Sequence, residues 1–189
     1  SRMSTLEVNT IKPISGSSTV TLGESGDTIA LASGASQTLA TSTPAFSVTA
    51  TSNQTIGSSN NTLVVFDIEE FDTDSAFTNT SGNYKFTVPS GKAGKYLISV
   101  SLNLQGTGVS SLIACRLQIF KNGSAHHQAQ FHFQSNNANE ATPSSAIIMD
   151  LAESDYIQVY ALTATSSGGN VRVEESGVKT TRFCGHKLA

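Results

Sequence analysis

The stretch that decides the fold is YLISVSLNLQ, from Tyr96 to Gln105, in which apolar and polar residues alternate from Ile98 onward. Successive side chains of a β-strand point to opposite faces, so this alternation predicts a half-buried strand rather than a helix. The face predicted to pack on a core carries Tyr96, Ile98, Val100, Leu102 and Leu104. The opposite face carries Ser99, Ser101, Asn103 and Gln105. The strand is therefore predicted to separate a hydrophobic core from an uncharged polar surface.

The same period-two pattern recurs on both sides of this strand. Further strands are predicted at residues 45–50, 63–68, 84–89, 112–121, 126–133, 146–151, 156–162, 170–174 and 180–188. Asn122-Gly123 is the strongest short hairpin signal, because both residues tolerate positive φ. About ten short strands with frequent turn residues and no helical period predict an all-β, ten-stranded jelly-roll sandwich. The predicted core residues are Phe46, Phe66, Tyr96, Ile98, Val100, Leu102, Leu117, Ile119 and Val159.

The composition argues against several classes of partner. Of the 189 residues only 13% are charged, and 11 Lys and Arg against 14 Asp and Glu leave a net charge of -3. No basic field is present that could hold a nucleic acid. No apolar run approaches the roughly 20 residues that a membrane-spanning helix needs. Neither nucleic-acid binding nor membrane insertion is expected, and Ser1-Arg2 ahead of Met3 predicts a natural product that begins at Met3.

Thr43-Pro44 marks a predicted boundary between an arm, residues 1–43, and a globular domain, residues 44–189. The arm is rich in Ser, Thr and Gly, and its segments 18–26 and 27–34 resemble each other as short alternating strands closed by Gly. Such a strand buries too little apolar surface by itself to offset its ordering entropy. We predict a short β-rich arm that stacks on copies of itself as a stalk or docks on a partner. The alternative is a flexible linker.

Candidate metal ligands occur in two places. His126, His127 and His132 lie close together, and imidazole suits transition metals. One histidine from each of three chains, with His186 as an equal candidate, could hold an axial metal. The acidic cluster of Glu69, Glu70, Asp72 and Asp74 carries the oxygen ligands that calcium prefers. A solvated hairpin and a solvated loop are favoured over both sites, so no cofactor is expected.

Catalytic signatures are absent from the sequence. There is no Gly-x-Ser-x-Gly, no phosphate-binding loop, no His-Glu-x-x-His and no dinucleotide-binding fingerprint. The chain is therefore predicted not to be an enzyme. Cys115 and Cys184 are too few for a disulfide framework and are predicted to be free thiols, with a cross-link between them as the alternative.

Several segments of the globular domain occur in the order found in one known family. They are residues 45–48, Val65-Phe66-Asp67, residues 82–86, Gly94-Lys95-Tyr96, residues 117–123, Ser154-Asp155 and residues 183–188. With these segments, residues 44–189 resemble the complement component 1q-like globular head, a relative of the tumour necrosis factor jelly roll. The sequence departs from that family at Ile98 and Val100, where aromatic residues are usual, and at Ser154, where Gly is usual. The resemblance implies a jelly-roll head that forms a homotrimer, with the uncharged Ser99, Ser101 and Asn103 and the nearby His186 as candidate trimer-face residues.

The arm resembles a different group of proteins. Residues 6–11, LEVNTI, and residues 21–29, TLGESGDTI, are similar to the N-terminal region of small fibre proteins of tailed bacteriophages, especially marine ones. Joined to a trimeric head, this resemblance implies a phage virion fibre or spike, made in the host cytoplasm, whose head attaches to a host-surface glycan or protein. The arm would contact other virion proteins. The alternatives are a capsid or tail decoration protein without receptor binding, and a bacterial surface adhesin. The predicted contact loops are residues 51–61, 107–110, 136–144 and 166–170.

Overall fold

The structure of the protein is a computed structural model that describes part of the chain. The described residues are 10–12, 20, 24–28, 33, 43–56, 60–106, 112–134, 138–165, 171–173 and 179–188, with the backbone alone for 171–173. The chain forms two compact units, Ser1–Ala40 and Thr41–Ala189. The repeated arm segments 18–26 and 27–34 lie largely outside the described residues, so the stalk or docking role of the arm stays a prediction.

The described part of the chain contains fifteen strands and no helix. In chain order the strands are β1 (Ala45–Thr49), β2 (Gln54–Ile56), β3 (Thr62–Leu63), β4 (Ile68–Asp72), β5 (Phe77–Thr80), β6 (Asn83–Thr87), β7 (Gly94–Ser101), β8 (Leu104–Gly106), β9 (Leu112–Lys121), β10 (Ser124–His132), β11 (Glu140–Ala141), β12 (Ser144–Leu151), β13 (Tyr156–Thr165), β14 (Val171–Val173) and β15 (Arg182–Lys187).

Two large antiparallel sheets and one small sheet make up the second unit. The first sheet has the order β12-β7-β15-β1-β4, and the second has the order β10-β9-β13-β6-β5, with β3 paired to β13. The small sheet has the order β11-β8-β14-β2. Each large sheet turns one apolar face inward, and these faces pack together. The all-β jelly-roll class predicted from the alternation is confirmed.

The core lies between the two large sheets and is rich in aromatic side chains. Phe46 of the first sheet stacks on Phe86 of the second at 4.6 Å between ring centroids, and the edge of Phe183 meets Phe46 at 4.9 Å. Offset and edge-on arrangements of this kind add to the stabilisation that burial provides. Every residue that the sequence assigns to the core is buried: Phe46, Phe66, Tyr96, Ile98, Val100, Leu102, Leu117, Ile119 and Val159.

The strand predicted at residues 63–68 is wrong in its bounds. Val64 and Phe66 are buried as the alternation requires, but the segment crosses from β3 in the second sheet to β4 in the first. The backbone amides here are bonded outside the regular strand pairing. Val64 N donates to Val159 O at 2.9 Å, and Val65 N donates to the side-chain oxygen Oε1 of Gln54 at 3.0 Å. Crossings of this kind, and short polar strands such as β2 and β5, explain why the predicted number of about ten strands is too low.

The central strand ends earlier than its sequence pattern predicts. β7 stops at Ser101, and β8 begins at Leu104 in a different sheet. Between them Leu102 N donates to Pro143 O at 3.1 Å, and Asn103 N donates to the hydroxyl of Thr181 at 3.2 Å. The uninterrupted alternation therefore spans two strands, because side-chain periodicity does not record which neighbour the backbone bonds.

The predicted Asn122-Gly123 hairpin is confirmed. β9 ends at Lys121, β10 begins at Ser124, and the two turn residues have φ of 52° and 79°. The turn is tied to the turn between β12 and β13 through Asp155. Its carboxylate lies 2.8 Å from Lys121 Nζ and accepts hydrogen bonds from Asn122 Nδ2 at 2.7 Å and Ala152 N at 2.8 Å. The hydrogen bonds from Lys121 and then Asn122 lower the pKa of Asp155 from 3.8 to about 2.

This pKa shift predicts how stability depends on pH. A carboxyl whose pKa is lower in the folded state stabilises the fold above its unfolded pKa of 3.8, and the contribution disappears as pH falls through about 2. We expect Asp155→Asn to lower the free energy of unfolding at pH 7 by about 2 kcal/mol, and the difference from wild type to shrink below pH 4. Urea unfolding across this pH range measures it.

The exposed Glu69 provides a matched control, and Glu69→Gln is expected to keep the wild-type free energy of unfolding at pH 7. An Asp155→Asn variant as stable as wild type at pH 7 would contradict the stabilising role of the Asp155 network.

Candidate functional site

The outward side of the first sheet, here called the open face, is uncharged and largely apolar at its centre. Strand register aligns Ala146, Ser99, Cys184, Ser47 and Phe71 in one row across the five strands. The adjacent row holds Ile148, Leu97, His186 and Ala45. The side chains of Phe71 and Ile148 are 51% and 63% exposed. Large apolar side chains grouped at a sheet surface mark a surface that binds another molecule.

A shallow hollow of about 300 Å³ lies in the open face. Its lining residues are Ala45, Phe46, Phe71, Leu97, Ser99, Cys184, Gly185 and His186. Ser99 contributes only a small side chain to this lining, and Phe71 and Leu97 are among its larger members. A protruding apolar side chain from a neighbouring molecule would fit this depression without desolvating a charge.

Three of the four predicted trimer-face residues belong to this face. Ser99 and Ser101 are half-buried and His186 is exposed. Asn103 is placed differently, because the chain leaves the first sheet after Ser101. It is only 5% exposed, and its Nδ2 donates to Glu140 Oε1 at 2.6 Å.

One carboxylate and two cations form an ion-paired cluster at the border of this face. Glu70 lies 2.7 Å from Lys179 Nζ and 3.6 Å from Arg182, and it accepts a hydrogen bond from the Ser47 hydroxyl at 2.7 Å. The hydrogen bond from Lys179, followed by that from Ser47, lowers the pKa of Glu70. The face therefore has an ion-paired border and an uncharged centre, the arrangement typical of protein interfaces.

Sequence reasoning missed the apolar part of the open face. Phe71 reaches it through a register shift between Ser47 and Val48 against β4, which strand alternation does not record. Leu97 falls before the unbroken alternation that begins at Ile98. The sequence pattern places Ile148 in the strand predicted at residues 146–151. Its neighbour Met149 is buried, and the alternation of the two residues was the signal that could have indicated an exposed Ile148.

Two residues of the acidic cluster that was considered as a calcium site, Glu70 and Asp72, form ion pairs or hydrogen bonds within the chain. Glu70 faces two cations as described above, and Asp72 accepts hydrogen bonds from the amides of Phe77 at 2.6 Å and Asp74 at 3.2 Å. Within the described ranges no three His, Cys, Asp or Glu side chains are grouped so as to hold a metal ion. An axial metal shared between three chains is outside this test and stays a prediction.

The histidines of β10 lie on a strand at the edge of the second sheet. A bulge between Ala125 and His127 adds one residue, His126, to the pairing with β9. His126 and His132 are exposed, and His127 is half-buried. Because the bulge interrupts the alternation of side chains at His126, a shared face for His126 and His132 stays a prediction.

Both cysteines are free thiols. Burial raises the pKa of Cys115 to about 11, and burial also raises the pKa of Cys184. The thiolate is the reactive form, so burial disfavours the nucleophilic form of both cysteines.

The predicted contact loops fall largely on parts of the chain that the structure does not describe. Residues 107–110 and 166–170 lie outside the described residues altogether, and 57–59 and 136–137 are left out of the other two loops. Their role in recognition stays a prediction. No helix among the described residues is long and apolar enough to span a membrane.

A sandwich of antiparallel sheets whose open face carries exposed apolar side chains is suited to binding or assembly. The family model of the C1q domain matches residues 45–188, and the chain belongs to the C1q domain family. C1q- and tumour necrosis factor-like domains are typically binding or structural domains rather than enzymes, and they often form trimers.

Solved structures share this fold at low sequence identity. Murine APRIL at pH 5.0 is 12% identical, with a TM-score of 0.56 over 78% of this chain and 100% of its own. The globular domain of zebrafish complement 1qA is 18% identical, with a TM-score of 0.51 over 77% of this chain and 98% of its own. Eiger TNF from S. frugiperda is 13% identical, with a TM-score of 0.51 over 78% and 92%. At these identities the likeness extends to the fold alone. The curated proteins include no significant sequence match.

Proposed function

We propose that this chain forms a homotrimer whose heads attach a phage virion to a receptor on the bacterial surface. The observation that carries the proposal is the open face, where Phe71 is exposed beside an uncharged hollow and Ile148 is exposed on the edge strand β12. Leaving that much apolar surface in water is unfavourable by about 25 cal/mol per Å². Covering it with a second copy removes the penalty without burying a charge.

A closed ring of three chains needs two different surfaces on each chain. The open face is one of them. The edge where β10 and β12 lie near each other is the other, and it carries Phe131, which is 46% exposed. Each edge would pack against the open face of the next chain. A stable interface of this obligate kind buries on the order of 2,000 Å².

Trimerisation supports the proposed attachment role. Three heads on one particle convert weak single contacts into strong attachment, since the second and third contacts form at high effective concentration. The similarity of residues 6–11 and 21–29 to phage fibre arms supports a place on the virion, and the arm would provide the contact with other virion proteins. Localisation in the virion follows from the same proposal.

Cell binding tests the attachment role. We expect the fluorescently labelled full-length protein to bind saturably to cells of at least one strain in a panel of marine bacteria, and the unlabelled protein to compete. A monomeric variant should bind the same cells at least about a hundredfold more weakly, because multivalency is lost. Flow cytometry measures both affinities.

A protein that binds purified phage capsids and no cells would contradict attachment and favour the decoration role. The labelled protein treated with heat until it unfolds provides the control for non-specific adhesion.

A further inference from the structure

The outward side of the second sheet carries polar groups that its own chain leaves unsatisfied. On β9, Leu117 and Ile119 point into the core, so Arg116 and Gln118 point outward. Gln118 is nevertheless only 8% exposed. Its Oε1 atom and the Nε atom of Arg116 are both buried and have no hydrogen-bond partner. A buried polar group without a hydrogen-bond partner destabilises the fold by about 1–3 kcal/mol. The donor and the acceptor on this sheet face are therefore candidates for hydrogen bonds to a ligand.

A hollow of about 370 Å³ begins at Gln118. The other lining residues are Ala125, His126, His127 and Gln128. The bulge at His126 breaks the pairing of β10 with β9 at this point, and bulges re-aim side chains beside binding sites. The volume is in the range of pockets that hold small ligands.

An aromatic pair lies beside the hollow on the same face. Tyr160 is the cross-strand partner of Gln118 on β13, and Phe120 follows Gln118 at the next outward position of β9. The rings of Phe120 and Tyr160 are 4.3 Å apart between centroids. An aromatic surface next to amide and imidazole groups can cover the apolar side of a sugar ring while the amides bond its hydroxyls.

The charge on this surface favours an acidic ligand. Arg116 contributes a guanidinium group, and no acidic side chain is among the residues that line the hollow or among Phe120, Gln130 and Tyr160 around it. Within the described ranges no carboxylate forms an ion pair with Arg116. A guanidinium group binds a carboxylate through two parallel hydrogen bonds.

We propose that this surface binds a carbohydrate that carries a carboxylate. The sugar ring covers Phe120 and Tyr160, its hydroxyls bond Gln118 and Gln128, and its carboxylate pairs with Arg116. This inference rests on the proposed attachment role and names the chemical class of its receptor. It also places the site on a sheet face rather than on the predicted contact loops.

Binding of purified oligosaccharides tests the site independently of any cell. The probe is a set of galacturonic acid oligosaccharides, and the matched neutral ligands are the same oligosaccharides after reduction of their carboxyl groups. With the full-length wild-type protein in isothermal titration calorimetry, we expect the acids to bind at least about tenfold more tightly than the reduced sugars, since one charge-assisted hydrogen bond is worth that factor.

Two variants separate the roles of the two side chains. Arg116→Gln should weaken binding of the acids about tenfold and leave binding of the reduced sugars unchanged. Gln118→Leu keeps the side-chain volume and should weaken binding of both sets. A purely structural Gln118 predicts the opposite pattern, with stability raised and binding unaffected, because the variant removes an unsatisfied buried acceptor.

Thr163→Val is the matched control, because Thr163 Oγ1 is also buried and unpartnered but lies on the core side of the same sheet. It should bind both sets like wild type. Equal affinity for acid and reduced sugars, or wild-type affinity in both Arg116→Gln and Gln118→Leu, would overturn the proposal. Cell binding that survives in both variants would overturn this site and leave the attachment role standing.

Discussion

Arginine in place of Ser99 is expected to convert the proposed trimer into monomers. Ser99 lies in the central row of the open face between Ala146 and Cys184, and it lines the hollow there. A guanidinium group at this position would be buried between chains without a partner, at a cost of about 3–5 kcal/mol for each of three copies. Association should weaken by at least about a hundredfold per interface. Light scattering should then give the single-chain mass of 19.7 kDa in place of three times that mass for wild type.

Ser52→Arg is the matched control, because Ser52 is exposed in a loop outside the sheet, and this variant should keep the wild-type mass. Alkylation provides a second measurement. Cys184 should react faster with iodoacetamide in the monomeric variant than in the trimer, while Cys115, fully buried in its own chain, should stay unreactive in both. A wild-type protein that is a monomer at micromolar concentration would refute the trimer, and with it the avidity argument.

Valine in place of Gly185 is expected to prevent the two sheets from packing. A Cβ atom at Gly185 would lie 2.9 Å from Ile98 Cδ1, 2.9 Å from Phe46 Cε1 and 3.0 Å from the carbonyl oxygen of Leu97. Ile98 and Phe46 are fully packed core residues, and the carbonyl belongs to the neighbouring strand, so none of the three can give way cheaply. Overpacking of this kind costs about 1–3 kcal/mol for a small side chain and more for a branched one. We expect Gly185→Val to be recovered unfolded or aggregated.

Gly185→Ala keeps this prediction testable if the valine variant does not fold. Its free energy of unfolding in urea should be lower than that of wild type by about 2 kcal/mol or more. Gly82→Ala is the control, because Gly82 has φ of 74° and a Cβ atom added there would meet no heavy atom within 4 Å, so only backbone strain of about 1 kcal/mol is added. Equal stability of Gly185→Ala and wild type would show that the fold does not require the close contact of Gly185 with Ile98 and Phe46.

The outward sides of the two large sheets have separate roles in the proposed assembly. In the proposed trimer the open face of the first sheet would provide the contact between chains, and the outward side of the second sheet would remain available to a ligand. Because the sheets are packed back to back through Phe46 and Phe86, assembly at one face holds the other face rigidly. A rigid platform reduces the entropy lost when a ligand binds.

Local chemistry was sufficient to predict the strands that bury one face. Ile98 and Val100 alternate with serines, and period-two alternation has one physical cause in a globular protein. Asn122-Gly123 is equally local, because the turn needs positive φ at both positions and these residues tolerate it. The fold class, the core and the hairpin between β9 and β10 therefore follow from the amino-acid sequence alone.

Only the tertiary structure decided which side chains share a surface. Phe71 joins Ser47 and Cys184 through a register shift, and Gln118 of β9 meets Tyr160 of β13, a strand distant in the chain. Asn103, which continues the alternation of β7, leaves the open face because its backbone bonds to Thr181. Alternation reports which face of its own strand a residue occupies, whereas a surface is made by several strands whose register is set by long-range hydrogen bonds. That is the physical reason why the sequence determined the core, whereas the structure determined which side chains together form each surface.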